Sequence, residues 1–262
     1  MIDLNHGSGV KLGARTIGDD INDAIDAGII ARRAKEPPRD YLGASVLGDP
    51  CGRRLCYIYA KTPADVDFTP LAIRRFDIGH EMEDFLGGEA ETDGVFKAAA
   101  ARWFQDAGFV LKTRTKTGDQ FRWKALDGKI SGAIDGVFMG RDRHPVIIPI
   151  PCIWETKALA VKGWNKIKKH GLKIAHDIYY GQVQINMAYL DVFRTLFTAI
   201  NKNTQELHHE LIEFDPPRAQ RISDRAVDVI KAVESGTLLD RVANNPDFFL
   251  CKMCSYQKRC WP

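Results

Sequence analysis

Two carboxylates and a lysine in the middle of the chain have the spacing of a metal site. Asp135 lies in the apolar run 131–138, where a carboxylate is costly unless something binds it. Glu155 and Lys157 are two residues apart, so on a strand both point to one face. Carboxylates from two neighbouring strands, with the carbonyl oxygen of Thr156, are oxygen ligands that suit Mg²⁺ or Mn²⁺. Lys157 would orient or deprotonate a water, or neutralise charge developing on a phosphate.

The same residues have an ordinary alternative interpretation. A Glu-x-Lys sequence also occurs as a solvated pair on the surface of a sheet. The apolar neighbours, Trp154 before it and residues 158–159 after it, favour a buried strand instead. A buried strand would bring Glu155 to Asp135 inside the protein.

Six cysteines form the second group of residues with chemical potential. Cys251, Cys254 and Cys260 have the spacing C-x2-C-x5-C, which lets two tight turns supply three thiolates to one centre. A tetrahedral zinc site and a cubane cluster both need a fourth ligand, and Cys51 is the candidate. The spacing alone fits Zn²⁺ and a [4Fe–4S] cluster equally.

Cys56 is the alternative fourth ligand. On a helix, five residues turn the side chain by about 140 degrees, so Cys51 and Cys56 do not face one centre easily. Cys51 follows Asp49-Pro50 at a predicted helix start, whereas Cys56 and Cys152 have the apolar neighbours of core residues. We therefore expect Cys51 to complete the set.

Three motifs in order resemble one superfamily of nucleases. Asp135 followed by Glu155-x-Lys157 resembles the PD-(D/E)xK core, with Ile134 in the place of its proline. Upstream, residues 76–83 resemble the Gly-His-x-x-Glu helix of the RecB-like branch, and downstream, residues 179–187 resemble its glutamine-motif helix, without the strict Q-x3-Y form. With the cysteines, the resemblance narrows to the iron–sulfur RecB-like exonucleases, with their CRISPR-associated, AddB-like and viral recombination relatives.

This resemblance implies further roles. His80 would be a nitrogen ligand to Mg²⁺ or Mn²⁺, its alternative being a core histidine, and Glu83 would lie behind the metal or on a solvated face. Gln182 would contact the DNA backbone or order Lys157, with Gln184 as the competing candidate. The cysteines would hold a [4Fe–4S] cluster rather than zinc.

The resemblance also implies a fold. We expect an α/β, restriction-endonuclease-like protein with a mixed central sheet flanked by helices. An iron–sulfur closure would join the N- and C-terminal segments. Residues 1–40 would be a helical segment of unknown role, and residues 41–262 the nuclease domain with its iron–sulfur motif.

DNA contact requires basic and aromatic side chains near the metal. A net charge of +3 permits nucleic-acid binding without arguing for it, so local clusters must carry the prediction. Lysines follow the Glu-x-Lys strand with a tryptophan among them, and arginines follow the first cysteine. The predicted DNA-binding residues are Arg53, Arg54, Lys162, Trp164, Lys166, Tyr180 and Gln184.

Composition sets the outer bounds of these predictions. A hydrophobic content of 45% in 262 residues is enough for a substantial core. No stretch approaches the roughly eighteen apolar residues of a membrane span, and the first residues lack a signal-peptide pattern. We expect a cytoplasmic protein of a bacterial or phage-infected cell, with reduced cysteines. Its partners would be DNA and either further copies of the chain or a recombination or helicase protein, with no membrane.

The elements that must position these residues follow from periodicity. Apolar spacing predicts helices early and late in the chain, with a meander of strands between them. The predicted helices are 17–34, 51–61, 71–86, 92–107, 164–169, 178–190 and 218–234, and the predicted strands are 109–115, 121–125, 130–139, 146–157 and the hairpin 192–200 with 207–214.

These inferences favour a metal-dependent DNA exonuclease that hydrolyses single strands or duplex ends in recombination, repair, or phage or CRISPR-type processing. Two alternatives stay open. One is a cluster-bearing DNA-binding subunit without cleavage activity, and the other is a structural zinc protein with a coincidental Glu-x-Lys sequence.

Overall fold

The computed structural model describes residues 15–87, 103–140 and 146–262. These residues form α1 (Ile17–Arg33), β1 (Leu42–Gly43), α2 (Ala44–Leu47), α3 (Gly52–Tyr59), α4 (Pro70–Gly87), α5 (Trp103–Asp106), β2 (Leu111–Lys112), β3 (Arg122–Ala125), β4 (Ile130–Ala133), β5 (Gly136–Phe138), β6 (Cys152–Leu159), α6 (Val161–Ala175), α7 (Asp177–Leu190), β7 (Arg194–Asn201), β8 (Leu207–Glu213), α8 (Pro216–Glu234), α9 (Phe249–Lys252) and α10 (Gln257–Cys260). Most of the helix predicted over 92–107 lies outside the described residues.

The chain divides into two compact units, of which residues 1–37 with 68–76 form the smaller. Its described helix, α1, begins with a capping box, in which Thr16 and Asp19 satisfy each other's backbone amides. Asp26 of α1 forms a 3.1 Å ion pair with Arg74. The prediction of a helix over 17–34 is confirmed.

The larger unit, residues 38–67 and 77–262, contains two sheets. Five strands are ordered β2-β5-β6-β7-β8, with β6 and β7 parallel and the other neighbours antiparallel. Three shorter strands are ordered β1-β4-β3, with β1 parallel to β4. Helices flank these mixed sheets. The predicted mixed α/β class is therefore observed.

The prediction of one continuous strand over 130–139 is wrong. The chain leaves the smaller sheet after Ala133 and enters the larger one at Gly136, so β4 and β5 belong to different sheets. Ile134 and Asp135 form the connection. The apolar run hides this change because both strands are buried.

β6 is the middle strand of the larger sheet, and its first five residues are buried. A strand covered on both faces reads as a continuous apolar run, as Cys152–Trp154 does. Cys152 is fully buried, as predicted for a core residue. The surface interpretation of Glu-x-Lys is excluded, because Glu155 is only 1% exposed.

α7 runs through the interior, with every residue from Tyr180 to Met187 buried. Val183 belongs to the hydrophobic core that includes β6, whereas Ile185 belongs to a second core around α2 and α8. Gly181 meets Gly48 at the end of α2 so closely that a Cβ on Gly181 would lie 2.7 Å from the Gly48 Cα. α7 is therefore held between two cores.

The remaining elements close the larger unit. β7 and β8 form the predicted hairpin, with Arg194 opposite Glu213 at one end and Ile200 opposite Leu207 at the other. α6 kinks at Gly171, whose positive φ of 73° suits glycine. None of the helices in the described part of the chain has the length and apolar character that a membrane crossing requires.

Candidate active site

Asp135 occupies the connection between the two sheets, facing β6. The β5–β6 ladder ends at the pair Gly136–Trp154, and beyond it the Asp135 carboxylate takes over as acceptor. Its Oδ2 accepts a 2.7 Å hydrogen bond from the backbone N–H of Thr156. This bond fixes the carboxylate next to Glu155.

Glu155 brings three functional groups together on one side of β6. Its Oε1 accepts a 2.6 Å hydrogen bond from Gln182 Nε2 and a very short one from Lys157 Nζ. Its Oε2 is buried without a hydrogen-bond partner, as is the side-chain oxygen of Gln182. Buried acceptors of this kind are normally satisfied, so the two oxygens are free to bind a cation or a water.

α4 adds two further side chains. Glu83 is half-buried and is a hydrogen-bond partner of Asp135. His80 is exposed, so it is not the core histidine of the alternative interpretation, and it lies near enough that its charge stabilises the Asp135 carboxylate. The structure thus brings both predicted α4 residues to Asp135.

Burial disfavours the charged forms of the three acids, Glu83, Asp135 and Glu155. Burial, followed by the charge of Asp135, raises the pKa of Glu83 to about 8 and that of Glu155 to about 7. Burial also raises the pKa of Asp135, although Lys157, the Thr156 amide and His80 oppose it. At neutral pH such a group holds protons unless a cation replaces them.

Lys157 supplies the permanent positive charge of this group. Burial lowers its pKa, but the carboxylates of Glu155 and Asp135 outweigh burial and raise it above the ordinary lysine value. Lys157 therefore stays protonated. A charged ammonium donates hydrogen bonds and offsets negative charge.

Three buried amides on α7 contact three different parts of the protein. Gln182 reaches Glu155, as described above. Gln184 is fully buried. Its side-chain nitrogen donates to the carbonyl of Glu213, and its side-chain oxygen accepts a hydrogen bond from the backbone N–H of Asp215. Asn186 accepts a 2.9 Å hydrogen bond from the indole of Trp123. Only Gln182 faces the carboxylates.

Two residues to which the sequence assigned no role lie beside Lys157. The Lys157 Nζ is 5.5 Å from the centre of the Tyr179 ring, and the His176 ring stacks on Tyr179 at 3.6 Å. Tyr179 precedes Gln182 by three residues on α7, so the two share a helix face. This three-residue spacing is the feature of the sequence from which Tyr179 could have been placed near the site.

The four predicted cysteine ligands line a single cavity with a volume of about 450 Å³, including its opening to solvent. Cys51 is the N-cap of α3, Cys251 lies in α9, Cys260 ends α10, and Cys254 lies in the turn between these two helices. All are free thiols, and Cys56 is buried away from this cavity's lining. Two buried N–H groups among the residues that line the cavity, Arg54 Nε and Trp261 Nε1, have no hydrogen-bond partner.

Several contacts hold the last residues against the α3 region. The rings of Tyr57 and Tyr256 stack with their centres 5.2 Å apart, and the Asp65 carboxylate accepts a hydrogen bond from the backbone N–H of Arg259. Arg241 binds the carbonyl of Cys260. Across residues 15–87, 103–140 and 146–262, no group of three or more His, Cys, Asp or Glu side chains is arranged to hold a metal ion. The cysteines share a cavity without forming a finished metal site.

The predicted DNA-binding residues have varied positions. Lys162 and Lys166 are exposed on α6. Trp164 is 3% exposed and lies under Lys168, whose Nζ is 4.6 Å from the centre of its ring. Tyr180 is also buried and donates its hydroxyl to Asp215.

The two arginines lie near the cysteine cavity. Arg53 donates to the carbonyl of Leu239 at 2.7 Å, and Arg54 pairs with Asp49 at 2.7 Å. Each guanidinium group thus has one partner within the protein, while the Nε of Arg54 has none.

Comparisons with known proteins give structural similarity alone. No family profile and no curated protein sequence matches the chain. Similar solved structures include the protein SSO0001, with 16% identity, a TM-score of 0.49, and coverage of 92% of this chain and 96% of that one. Another is an alkaline exonuclease from Laribacter hongkongensis, with 14% identity, a TM-score of 0.48, and coverage of 82% and 93%. A phage-related exonuclease from Haemophilus somnus 129PT has 13% identity, a TM-score of 0.39, and coverage of 74% and 94%.

Proposed function

We propose that this protein is a divalent-metal-dependent nuclease that hydrolyses phosphodiester bonds of DNA, acting as an exonuclease on single strands or duplex ends. The observation that carries the proposal is the convergence of Asp135, Glu155, Lys157 and Gln182 on one buried point. A protein that only binds DNA has no need to bury two carboxylates against each other.

The side chains would offer Mg²⁺ or Mn²⁺ the oxygen ligands that such ions prefer. Glu155 Oε2 is a buried oxygen without a partner, and hard divalent cations take such carboxylate oxygens. Asp135 and Glu155 would bind the ion, with the carbonyl of Thr156 and the imidazole of His80 as further ligands. A bound ion would polarise the phosphate and lower the pKa of a water.

The protein's own residues would prepare this site. The Thr156 amide holds one oxygen of Asp135, and Gln182 holds one oxygen of Glu155, which leaves the other oxygen of Glu155 free. Lys157, whose pKa the neighbouring carboxylates raise, would act as a hydrogen-bond donor that offsets charge on the phosphate. The exposed lysines of α6 would carry the DNA backbone towards it.

We also propose that Cys51, Cys251, Cys254 and Cys260 hold a [4Fe–4S] cluster. The support is their common cavity and the two unpaired N–H groups among its lining residues, since cluster sulfurs accept such hydrogen bonds. Rotation about a single side-chain bond moves each sulfur, so a shared cavity is the relevant requirement. The role would be structural, because the ligands come from the N-cap of α3 and from the segment that contains α9 and α10.

A cleavage assay tests the nuclease proposal. End-labelled single- and double-stranded DNA would be incubated with the protein in Mg²⁺, in Mn²⁺ and in a chelator. We expect metal-dependent release of nucleotides, and a loss of more than about 100-fold in Glu155→Gln and Asp135→Asn. Both substitutions keep the size of the side chain and remove the charge that binds metal.

The matched control is Glu206→Gln, which removes an exposed carboxylate from the turn of the hairpin. It should cleave like the wild type. A wild-type protein that binds the labelled DNA without cutting it in either metal would establish the non-catalytic DNA-binding subunit instead.

A further inference from the structure

The ammonium of Lys157 has an aromatic neighbour as well as its carboxylate. On one side Lys157 contacts Glu155, and on another its Nζ is 5.5 Å from the centre of the Tyr179 ring. A cation within about 6 Å of a ring centre is attracted by the negative face of the ring. Tyr179 thus contacts the same ammonium that binds Glu155.

The ring of Tyr179 is itself held in place. The His176 ring stacks on it at 3.6 Å with an angle of 4° between the planes. His176 joins α6 to α7, and its extended backbone (φ −151°, ψ 82°) turns the chain there. The stack therefore belongs to the joint between two helices, which fixes where the Tyr179 ring lies.

The neighbouring tyrosine has a different position. Tyr180 is buried and donates its hydroxyl to Asp215 at 3.0 Å, at the start of α8. Tyr179 is half-buried and contacts Lys157. Of the two adjacent tyrosines, Tyr179 thus contacts the candidate site, whereas Tyr180 joins α7 to the start of α8.

We propose that Tyr179 is a positioning residue whose ring, braced by His176, holds the Lys157 ammonium beside Glu155. The purpose of that position rests on the proposed nuclease function, since Lys157 would there offset charge on the phosphate. A lysine side chain has four rotatable bonds and loses its place easily without such a contact. The ring face, and not the hydroxyl, is the part that acts.

Kinetics of substituted proteins test this role. Tyr179→Leu removes the ring, and we expect kcat to fall roughly tenfold with KM near the wild-type value. Tyr179→Phe keeps the ring and should retain nearly full activity. The control Tyr189→Phe removes a hydrogen bond to Ser223 from the same helix, so it should lower the melting temperature and leave kcat unchanged. Equal losses in Tyr179→Leu and Tyr179→Phe, or a rise in KM alone, would overturn the proposal.

A second measurement needs no activity. In protein labelled with ¹³C at the lysine side chain, the ε-methylene signal of Lys157, assigned with Lys157→Arg, should be shifted upfield by the ring. Tyr179→Leu should abolish that shift and Tyr179→Phe should keep it. Lys168, above the ring of Trp164, is the internal control and should stay shifted in both.

The two measurements separate the proposals. A Lys157 signal among those of ordinary exposed lysines refutes the contact, whether or not the protein cuts DNA. A shifted signal that depends on Tyr179, in a protein that cuts no DNA, leaves the positioning role standing and refutes the nuclease.

Discussion

Individual residues determine how this protein should respond to pH. Glu83, Asp135 and Glu155 lie together, and burial raises the pKa of each. A raised pKa means that the folded protein holds protons more tightly than the unfolded chain does. The stabilisation is complete below the ordinary value of 4.5 and is lost as the pH rises through about 7 for Glu155 and about 8 for Glu83.

We therefore predict that the protein with chelator loses thermal stability between pH about 5 and about 8.5, and that Mn²⁺ restores it at the upper end, because the ion replaces the protons. Melting curves across this range, with chelator and with Mn²⁺, measure the effect. Glu83→Gln should flatten the loss, whereas Glu206→Gln should not. A metal-free melting temperature that rises over this interval would contradict the arrangement of the three acids.

The sequence predicted much of this site and missed part of it. Asp135, Glu155 and Lys157 were predicted to lie together because few residue types bind metal and their spacing on strands fixes their direction, and the structure places them side by side. Gln182 and Gln184 could not be separated, since both are buried polar residues and only the packing of α7 decides which one meets β6. Tyr179 was missed because its contact with Lys157 joins two elements that are distant in sequence.

Among the elements, α7 packs against both hydrophobic cores and carries the buried amides. It contacts both hydrophobic cores, and its buried amides reach β6, the end of β8 and Trp123 on β3. Its approach to α2 depends on Gly48 and Gly181, which lie nearly in contact. The position of Gln182 follows directly from that approach.

We predict that Gly181→Ala destabilises the protein by about 1–3 kcal/mol, because the new methyl group meets backbone that cannot move alone. Its Cβ would be 2.7 Å from the Gly48 Cα and 3.1 Å from the Ile222 Cδ1. Cleavage should fall as well, since the adjacent Gln182 shifts. Denaturant unfolding measures the first effect and the DNA assay the second.

Gly28→Ala is the matched control for this change. Gly28 is also a helical glycine, and a Cβ there would have no neighbour within 4 Å. It should leave stability unchanged or raise it by up to about 1 kcal/mol, owing to the better helix propensity of alanine. Equal unfolding of Gly181→Ala and the wild type would argue against close contact between α2 and α7.

Element boundaries were predicted well where periodicity was strong and poorly where two buried strands follow each other. The hairpin β7–β8 and the helix α8 match their predicted ranges within a few residues. The change of sheet at Ile134–Asp135 left no trace in the pattern, because all flanking residues except Ala133 are buried on both sides of the connection. Knowledge of the strand partners was needed there.

At the scale of the whole molecule, the cysteine cavity leads us to predict a bound iron–sulfur centre that stabilises the fold. Protein purified without oxygen should contain iron and sulfide and absorb broadly in the visible region. Cys254→Ser should lose the iron and lower the melting temperature by about 5 °C or more, because binding of such a centre contributes to folding.

Cys152→Ser is the control, since Cys152 is buried in β6 and does not line the cavity. It should keep the iron even where it lowers stability. A colourless wild-type protein with one zinc per chain would replace the cluster by a structural zinc site. Loss of iron in Cys56→Ser but not in Cys51→Ser would change the assignment of the fourth ligand.

The change of sheet at Asp135 has a consequence for the newly made chain. Asp135 lies in the connection between β4 and β5. Its hydrogen bond from the Thr156 amide can form only once both sheets are present. During synthesis Asp135 leaves the ribosome before Glu155, and Gln182 follows later still. A half-folded intermediate therefore lacks the bond between Asp135 and Thr156, and the proposed metal site would assemble only after the two sheets are in place.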